Sequence, residues 1–287
     1  MARSRRDTGR VMESNKVLVI GNGESRSWFK PDYINKLPRR DVTTWGCNAI
    51  YRDGVVDNLV SVDYAMQQEI YVSGYASDNQ CWFSNWSRLP SQVAETFLMG
   101  YDIPESLIHI AGDSHSANEC VILGKDPHTL QEKIELAITM NPDRDVPDLI
   151  QKMEKDMGVW ITHVEHEDMV TPIDFPIGWS AGSTAIHLAC QKDVDELYLI
   201  GFDLSSYDES LNNIYKGTDN YLPASSKGFN PINWVEQLRT VFNEFQNTQF
   251  YWVDVTNTFK VGGNYFAIPD NVRYLTKTEL CDRIHIH

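Results

Sequence analysis

The pentapeptide Gly21-Asn22-Gly23-Glu24-Ser25 has the residue types of a nucleotide-binding turn. It follows an apolar, strand-like run at 17–20 and leads into a polar stretch able to begin a helix. Glycines in such a turn let backbone amides approach an anion, and a helix start favours negative charge. The third glycine of a dinucleotide fingerprint is absent. Trp45-Gly46-Cys47-Asn48 closes the next strand without a ribose-binding acid. The pattern points to a nucleotide and away from NAD.

Asn22 and Asn48 follow the first and second strand-like runs, which puts both on the same rim of a parallel sheet. An asparagine offers one donor group and one acceptor, suited to a base, ribose or sugar hydroxyl. It is equally a turn residue that tolerates left-handed backbone. Asp63 ends the third run, placed either as a general base or as the cap of the helix that follows. Gly178-Trp179-Ser180-Ala181-Gly182-Ser183 opens another helix with small residues. This segment lacks the Gly-x-Ser-x-Gly of a nucleophile elbow, so anion contact or close packing explains it better than a nucleophilic Ser183. Asp203 ends the fifth run in Ile200-Gly201-Phe202-Asp203, ahead of a polar loop of about thirty residues. Tyr207, Tyr215 and Lys227 in that loop are of the types that hold a diphosphate or stabilise a departing phosphate without a metal.

Other clusters read as surface. His163 and His166 beside acidic residues align as ligands only on a helix, and a solvated loop is the expected reading. Asp143-Arg144-Asp145 imitates a metal-binding Asp-x-Asp but falls between helical patterns rather than at a strand end. Trp82, Trp86 and Trp179 offer faces for stacking, whereas Trp234 is expected in the core.

The elements that position these residues alternate. Strand-like runs lie at 17–20, 42–45, 58–62, 107–111, 196–200 and 250–255, with helical patterns at 64–72, 180–191 and 231–245. Such alternation implies an α/β, Rossmann-like fold: a mainly parallel, twisted sheet flanked by helices. Ligands of such sheets sit beyond the carboxyl ends of the strands. Residues 1–14 read as a mobile basic tail and 15–287 as a single domain. A helical insertion at about 113–175 reads as a lid, an acceptor subdomain or a surface elaboration. Net charge is −15, which disfavours indiscriminate contact with nucleic acid or an anionic membrane. The five cysteines are scattered, without Cys-x-x-Cys spacing, as expected for a reduced, cytoplasmic setting. No apolar run reaches the length of about 18 residues that a membrane span needs.

Together these pieces resemble the bacterial sialyltransferases of glycosyltransferase family 42 and related phage-encoded proteins. The resemblance rests on Gly21-Asn22-Gly23-Glu24-Ser25, on Cys47-Asn48 with Tyr51, and on the stretch from Ser180-Ala181-Gly182 to Gly201-Phe202-Asp203-Leu204. It covers roughly residues 15–75 and 176–260. It implies a Rossmann-like sheet that binds a cytidine sugar nucleotide and transfers the sugar without a metal. The residues matching Asn22 and Asn48 would contact the nucleotide and sugar, with the 180–182 turn beside it. Two departures stand out. Where the family has its catalytic His, this chain has Ser225-Ser226-Lys227, and no His occurs between His187 and His285. The family's paired tyrosines align with Ser205 and Leu211, leaving Tyr207 and Tyr215 as shifted substitutes.

The function expected from all this is a metal-independent glycosyltransferase with a nucleotide-sugar co-substrate and no resident cofactor. Gly21, Asn22, Gly23, Ser25, Asn48, Ser180, Ala181, Gly182, Asp203 and Lys227 would bind the donor. Asp63 would act as base, with Tyr207 or Tyr215 supporting the leaving group. The acceptor would be a hydroxyl, on a glycan or on a hydroxylated base in phage DNA. A homo-oligomer without a membrane partner is expected, in the host cytoplasm if the chain is phage-encoded. The alternatives are a Mg-dependent pyrophosphate or nucleotidyl transferase and a non-catalytic nucleotide-binding protein.

Overall fold

A computed structural model describes residues 15–38, 40–84, 86–88, 108–110, 120–124, 159–163, 169–176, 178–204, 210–253, 260–261, 264–265 and 269–286. The elements in chain order are β1 (Lys16–Ile20), α1 (Pro31–Lys36), β2 (Val42–Cys47), β3 (Asn58–Ser61), α2 (Tyr64–Val72), α3 (Tyr75–Asp78), β4 (Cys81–Ser84), β5 (Trp86–Arg88), β6 (Ile108–Ile110), β7 (Cys120–Gly124), β8 (Val159–His163) and β9 (Val170–Ile173). There follow α4 (Ala181–Cys190), β10 (Glu196–Ile200), α5 (Ile232–Glu244), β11 (Gln249–Val253), β12 (Lys260–Val261), β13 (Asn264–Tyr265), β14 (Val272–Leu275) and α6 (Lys277–Arg283). The main sheet has eight strands in the order β14-β11-β10-β1-β2-β3-β4-β9, a twisted Rossmann-like α/β architecture. The chain divides into two compact units, Met1–Gly46 with Gly182–His287, and Cys47–Ala181.

In the first unit, β1 pairs in parallel with both β10 and β2, and β10, β11 and β14 continue in parallel. Val-Leu-Val-Ile and Leu-Tyr-Leu-Ile are buried almost throughout, as central strands covered on both faces require. Strand order runs outward in both directions from β1. The carboxyl ends of β1 and β10 therefore mark a topological switch point, the usual place for a ligand in such a sheet. Helix α5 turns Val235, Leu238, Val241 and Phe242 inward, with Phe242 packed on Phe250 and Trp252 at 4.7 and 6.1 Å between ring centres. The sequence reading had given Trp234 to this core. Val235 takes that position instead, and Trp234 lies half-buried at the margin, edge-on to Phe229. Helix α6 begins with a complete capping box, Thr276 and Glu279 each satisfying the other's backbone amide.

In the second unit, β3, β4 and β9 pair in parallel, and Met66, Ile70 and Tyr71 of α2 are buried. A separate sheet in the order β5-β8-β7-β6 combines one parallel pairing with two antiparallel ones. Three strands fall within 113–175, beside the two helical patterns that the sequence places at about 128–140 and 146–157: β7, β8 and β9, the last of them in the main sheet. Apolar runs of four or five residues carry no decisive period. The two helical patterns expected there, the 1–14 tail and Asp143–Asp145 lie outside the described residues. Among the described residues, no helix is long and apolar enough to cross a membrane.

Candidate functional site

The turn after β1 is built on close backbone contact. Gly21 N donates to Ile200 O and Gly23 N to Gly201 O, both at 2.8 Å. A Cβ on Gly21 would stand 2.4 Å from the Gly201 carbonyl oxygen. On Gly23 a Cβ would stand 2.6 Å from the Asp203 carboxylate, and Gly201 itself has a φ of +72°. These glycines serve the crossing of two chain segments.

Side chains then fill the turn. Asp203, buried, accepts from Ser25 N at 2.8 Å and from Ser25 Oγ. Asn212 Oδ1 accepts from Glu24 N at 2.8 Å. The amides of Gly21, Gly23, Glu24 and Ser25 are all engaged within the chain, so the anion cradle read from the glycine pattern is supplied with an internal carboxylate. Arg26, only 2 % exposed, donates to Gly21 O through Nε and to the Tyr215 hydroxyl through Nη2 at 2.8 Å. Tyr215 is thereby a buried partner of Arg26. Lys216 pairs with Glu24 at 2.5 Å. Tyr221 accepts from Asn22 Nδ2 at 3.1 Å, and Asn22 O receives Ile214 N at 2.9 Å. Asn22 Oδ1 is buried without a partner.

Helix α4 starts at the buried Ala181, after half-buried Ser180. A Cβ on Gly182 would come to 3.0 Å of the Phe202 ring, which makes close packing the reason for that glycine, and Ser183 is buried. Lys227 is exposed, its backbone bridging Ser210. Tyr207 and His166 lie outside the described residues, while His163, expected in a loop, closes β8 opposite Cys120. A cavity lined by Lys16, Arg40, Asp41, Thr43, Arg283 and His285 opens at the amino ends of β1 and β2, the rim opposite the glycine turn.

The second unit holds another polar group. Asn48 follows β2 with a φ of +52°, so the left-handed turn role read from sequence is fulfilled. Its Nδ2 donates to Asp63 Oδ2 at 3.4 Å, and its Oδ1 is buried without a partner. Because a carboxylate only accepts, the amide must face Asp63 through its NH2 group. Asp63 stands at the N-cap of α2, yet its side chain makes no capping bond. The residue surface is exposed, while its carboxyl is crowded enough that desolvation raises its pKa, opposed by the Asn48 bond. Close by in sequence, Arg52 and Tyr51 both bond Glu69 of α2, at 2.7 and 2.5 Å. Burial first, then the Glu69 carboxylate, pushes the Tyr51 phenol up to about 12. Tyr51 is therefore a standing hydrogen-bond donor at neutral pH.

The residue that sequence reasoning missed in the turn is Arg26. Its burial is dictated by Tyr215, far along the chain, and nothing in its own neighbourhood signals it. Trp82, a stacking candidate, donates its Nε1–H to Asn58 Oδ1 at 3.1 Å, a bond between the neighbouring strands β4 and β3. Among the described residues, no group of three or more His, Cys, Asp or Glu could hold a metal ion. Comparison with family models, with curated proteins and with solved structures finds no match to this chain.

Proposed function

We propose that the protein is a glycosyltransferase that moves a sugar from a nucleotide-activated donor to a hydroxyl acceptor, with Asp63 as general base and no metal. The observation that carries this reading is the state of Asp63. It occupies a helix N-cap position without capping, and its carboxylate is held by Asn48 alone among the hydrogen bonds described for it. Desolvation raises its pKa, which strengthens a carboxylate as a proton acceptor near neutral pH. In the reaction, the acceptor oxygen bonds to the anomeric carbon as its proton passes to Asp63. The bond from that carbon to the donor's phosphate oxygen breaks, and the electron pair leaves with the phosphate. Asn48 orients the carboxylate through its NH2 group. The resemblance to glycosyltransferase family 42 supports the reaction class. The absence of a His where that family has its base fits a base recruited from another strand end.

The test is turnover with a panel of CMP, UMP, GMP and dTMP sugars, with and without Mg²⁺, followed by Asp63→Asn. The expected result is kcat lowered by roughly 10²–10⁴-fold with donor affinity unchanged within about threefold. Equal loss of both removes Asp63 from the role. Strict dependence on Mg²⁺ with indifference to the sugar moiety would point to pyrophosphate or nucleotidyl transfer instead.

A further inference from the structure

We infer that the turn after β1 receives the hydrogen-bond-donating edge of a nucleoside, its base or its ribose, and not the phosphate of the donor. This deepens the nucleotide-donor reading above and rests on it. A phosphate is an acceptor of hydrogen bonds, and it binds a glycine turn through unengaged amides. Here the amides of Gly21 and Gly23 reach the carbonyls of Ile200 and Gly201, each at 2.8 Å. Those of Glu24 and Ser25 reach Asn212 Oδ1 and Asp203 Oδ2, again each at 2.8 Å. The Ser25 hydroxyl is on the second oxygen of Asp203. A phosphate entering this turn would have to displace the buried Asp203 carboxylate and would meet its charge.

The Asn22 side chain leaves open a group of the opposite polarity. Asn22 Oδ1 is a buried acceptor without a partner, while Asn22 Nδ2 and Asn22 O are both engaged. A buried, unmatched carbonyl costs free energy that a ligand's N–H or O–H recovers on binding. Nucleobase amino groups, ring N–H groups and ribose hydroxyls are such donors. In the other unit, Asn48 Oδ1 is a second buried acceptor of the same kind, its orientation fixed by the Asp63 carboxylate. Both unmet groups ask for donors.

The experiment is calorimetry on the full chain with the common nucleosides, their monophosphates, sugar nucleotides and inorganic pyrophosphate. The expected result is that one nucleoside binds within about tenfold of its monophosphate, and that pyrophosphate neither binds nor competes. Asn22→Ala should then weaken that nucleoside by about tenfold, whereas Asn22→Asp, which keeps an acceptor and can take the Tyr221 proton, should retain it within about threefold. Pyrophosphate competing with the nucleotide, or a folded Asn22→Asp protein that loses the ligand, overturns the inference and leaves the donor reading standing. Binding of a nucleotide whose nucleoside does not bind has the same meaning. No binding by any nucleoside, nucleotide or sugar nucleotide removes the donor reading itself, and this inference with it.

Discussion

Arg26 and Tyr215, 189 residues apart, meet through a 2.8 Å bond from guanidinium to phenol hydroxyl, with both side chains buried. The same guanidinium reaches back to Gly21 O, so one cation fastens the loop at 210–230 to the end of β1. Tyr215→Phe removes the acceptor and leaves an N–H of the guanidinium to be desolvated. A loss of about 1–3 kcal/mol is expected. Arg26→Ala should cost more, about 3 kcal/mol or above, because it also empties the buried space and strips Gly21 O of a donor. Urea denaturation of the two variants should rank them in that order.

Gly21, in the turn, and Gly74, ahead of α3, can be told apart by steric argument. Gly21→Ala sets a Cβ 2.4 Å from backbone that cannot yield, while at Gly74, with φ +79°, nothing lies within 4 Å. Gly74→Ala should therefore lose only the left-handed penalty of about 1–2 kcal/mol. Gly21→Ala should separate β1 from β10 and fail to give a cooperative melt at the wild-type temperature. Equal effects on thermal denaturation would contradict the contact.

Asp63 should set a function against stability. Its pKa is raised in the folded state, so the folded protein holds that proton to higher pH than the unfolded chain. Stability from this group is present below the ordinary carboxylate range and is lost as pH rises through the folded pKa. At neutral pH the ionised carboxylate is a destabilising group, and Asp63→Asn is expected to raise Tm while it lowers turnover. The acid limb of kcat/KM in the wild type should correspondingly lie above the usual aspartate value of about 3.9.

Alkaline pH should weaken the fold stepwise. Burial raises the thiols of Cys81 and Cys190 from 9.0, and burial first, then a carboxylate neighbour, raises the phenols of Tyr51 and Tyr198 from 10.0. All four keep their protons longer when folded, so the stability they contribute is complete below pH 9 and is lost above it. Each group adds a slope of about 1.4 kcal/mol per pH unit once its unfolded pKa is passed. Urea midpoints taken across the thiol and phenol ranges should fall steadily. Glu69→Gln should bring the Tyr51 phenol down from about 12, visible as earlier tyrosinate absorbance.

Much of the first unit could be read from sequence because its signals are local. The run at 196–200 coincides with β10, where strand length and the bounding Asp195 and Gly201 settled what periodicity could not. In the second unit, the helix at 64–72 likewise coincides with α2. On α5 Leu238, Val241 and Phe242 are buried as the spacing implies, but Trp234 is not, because a wide amphipathic ring counts as apolar in a pattern while the smaller Val235 fills the core. The turn residues were legible as types but not as partners. Whether Asp203 meets a ligand or Ser25, 178 residues earlier, depends on how β10 stops beside β1, and that is a tertiary fact. The strands β7 and β8 were hidden by their shortness.

Asp203 gives the glycine turn a resident negative charge, and this bears on how the turn behaves when it is empty. A loop that needs its ligand's phosphate to hold its shape opens when that ligand departs. Here the counter-charge is covalently attached, and through the hydrogen bonds of Asp203 to Ser25 the turn holds its shape with nothing bound.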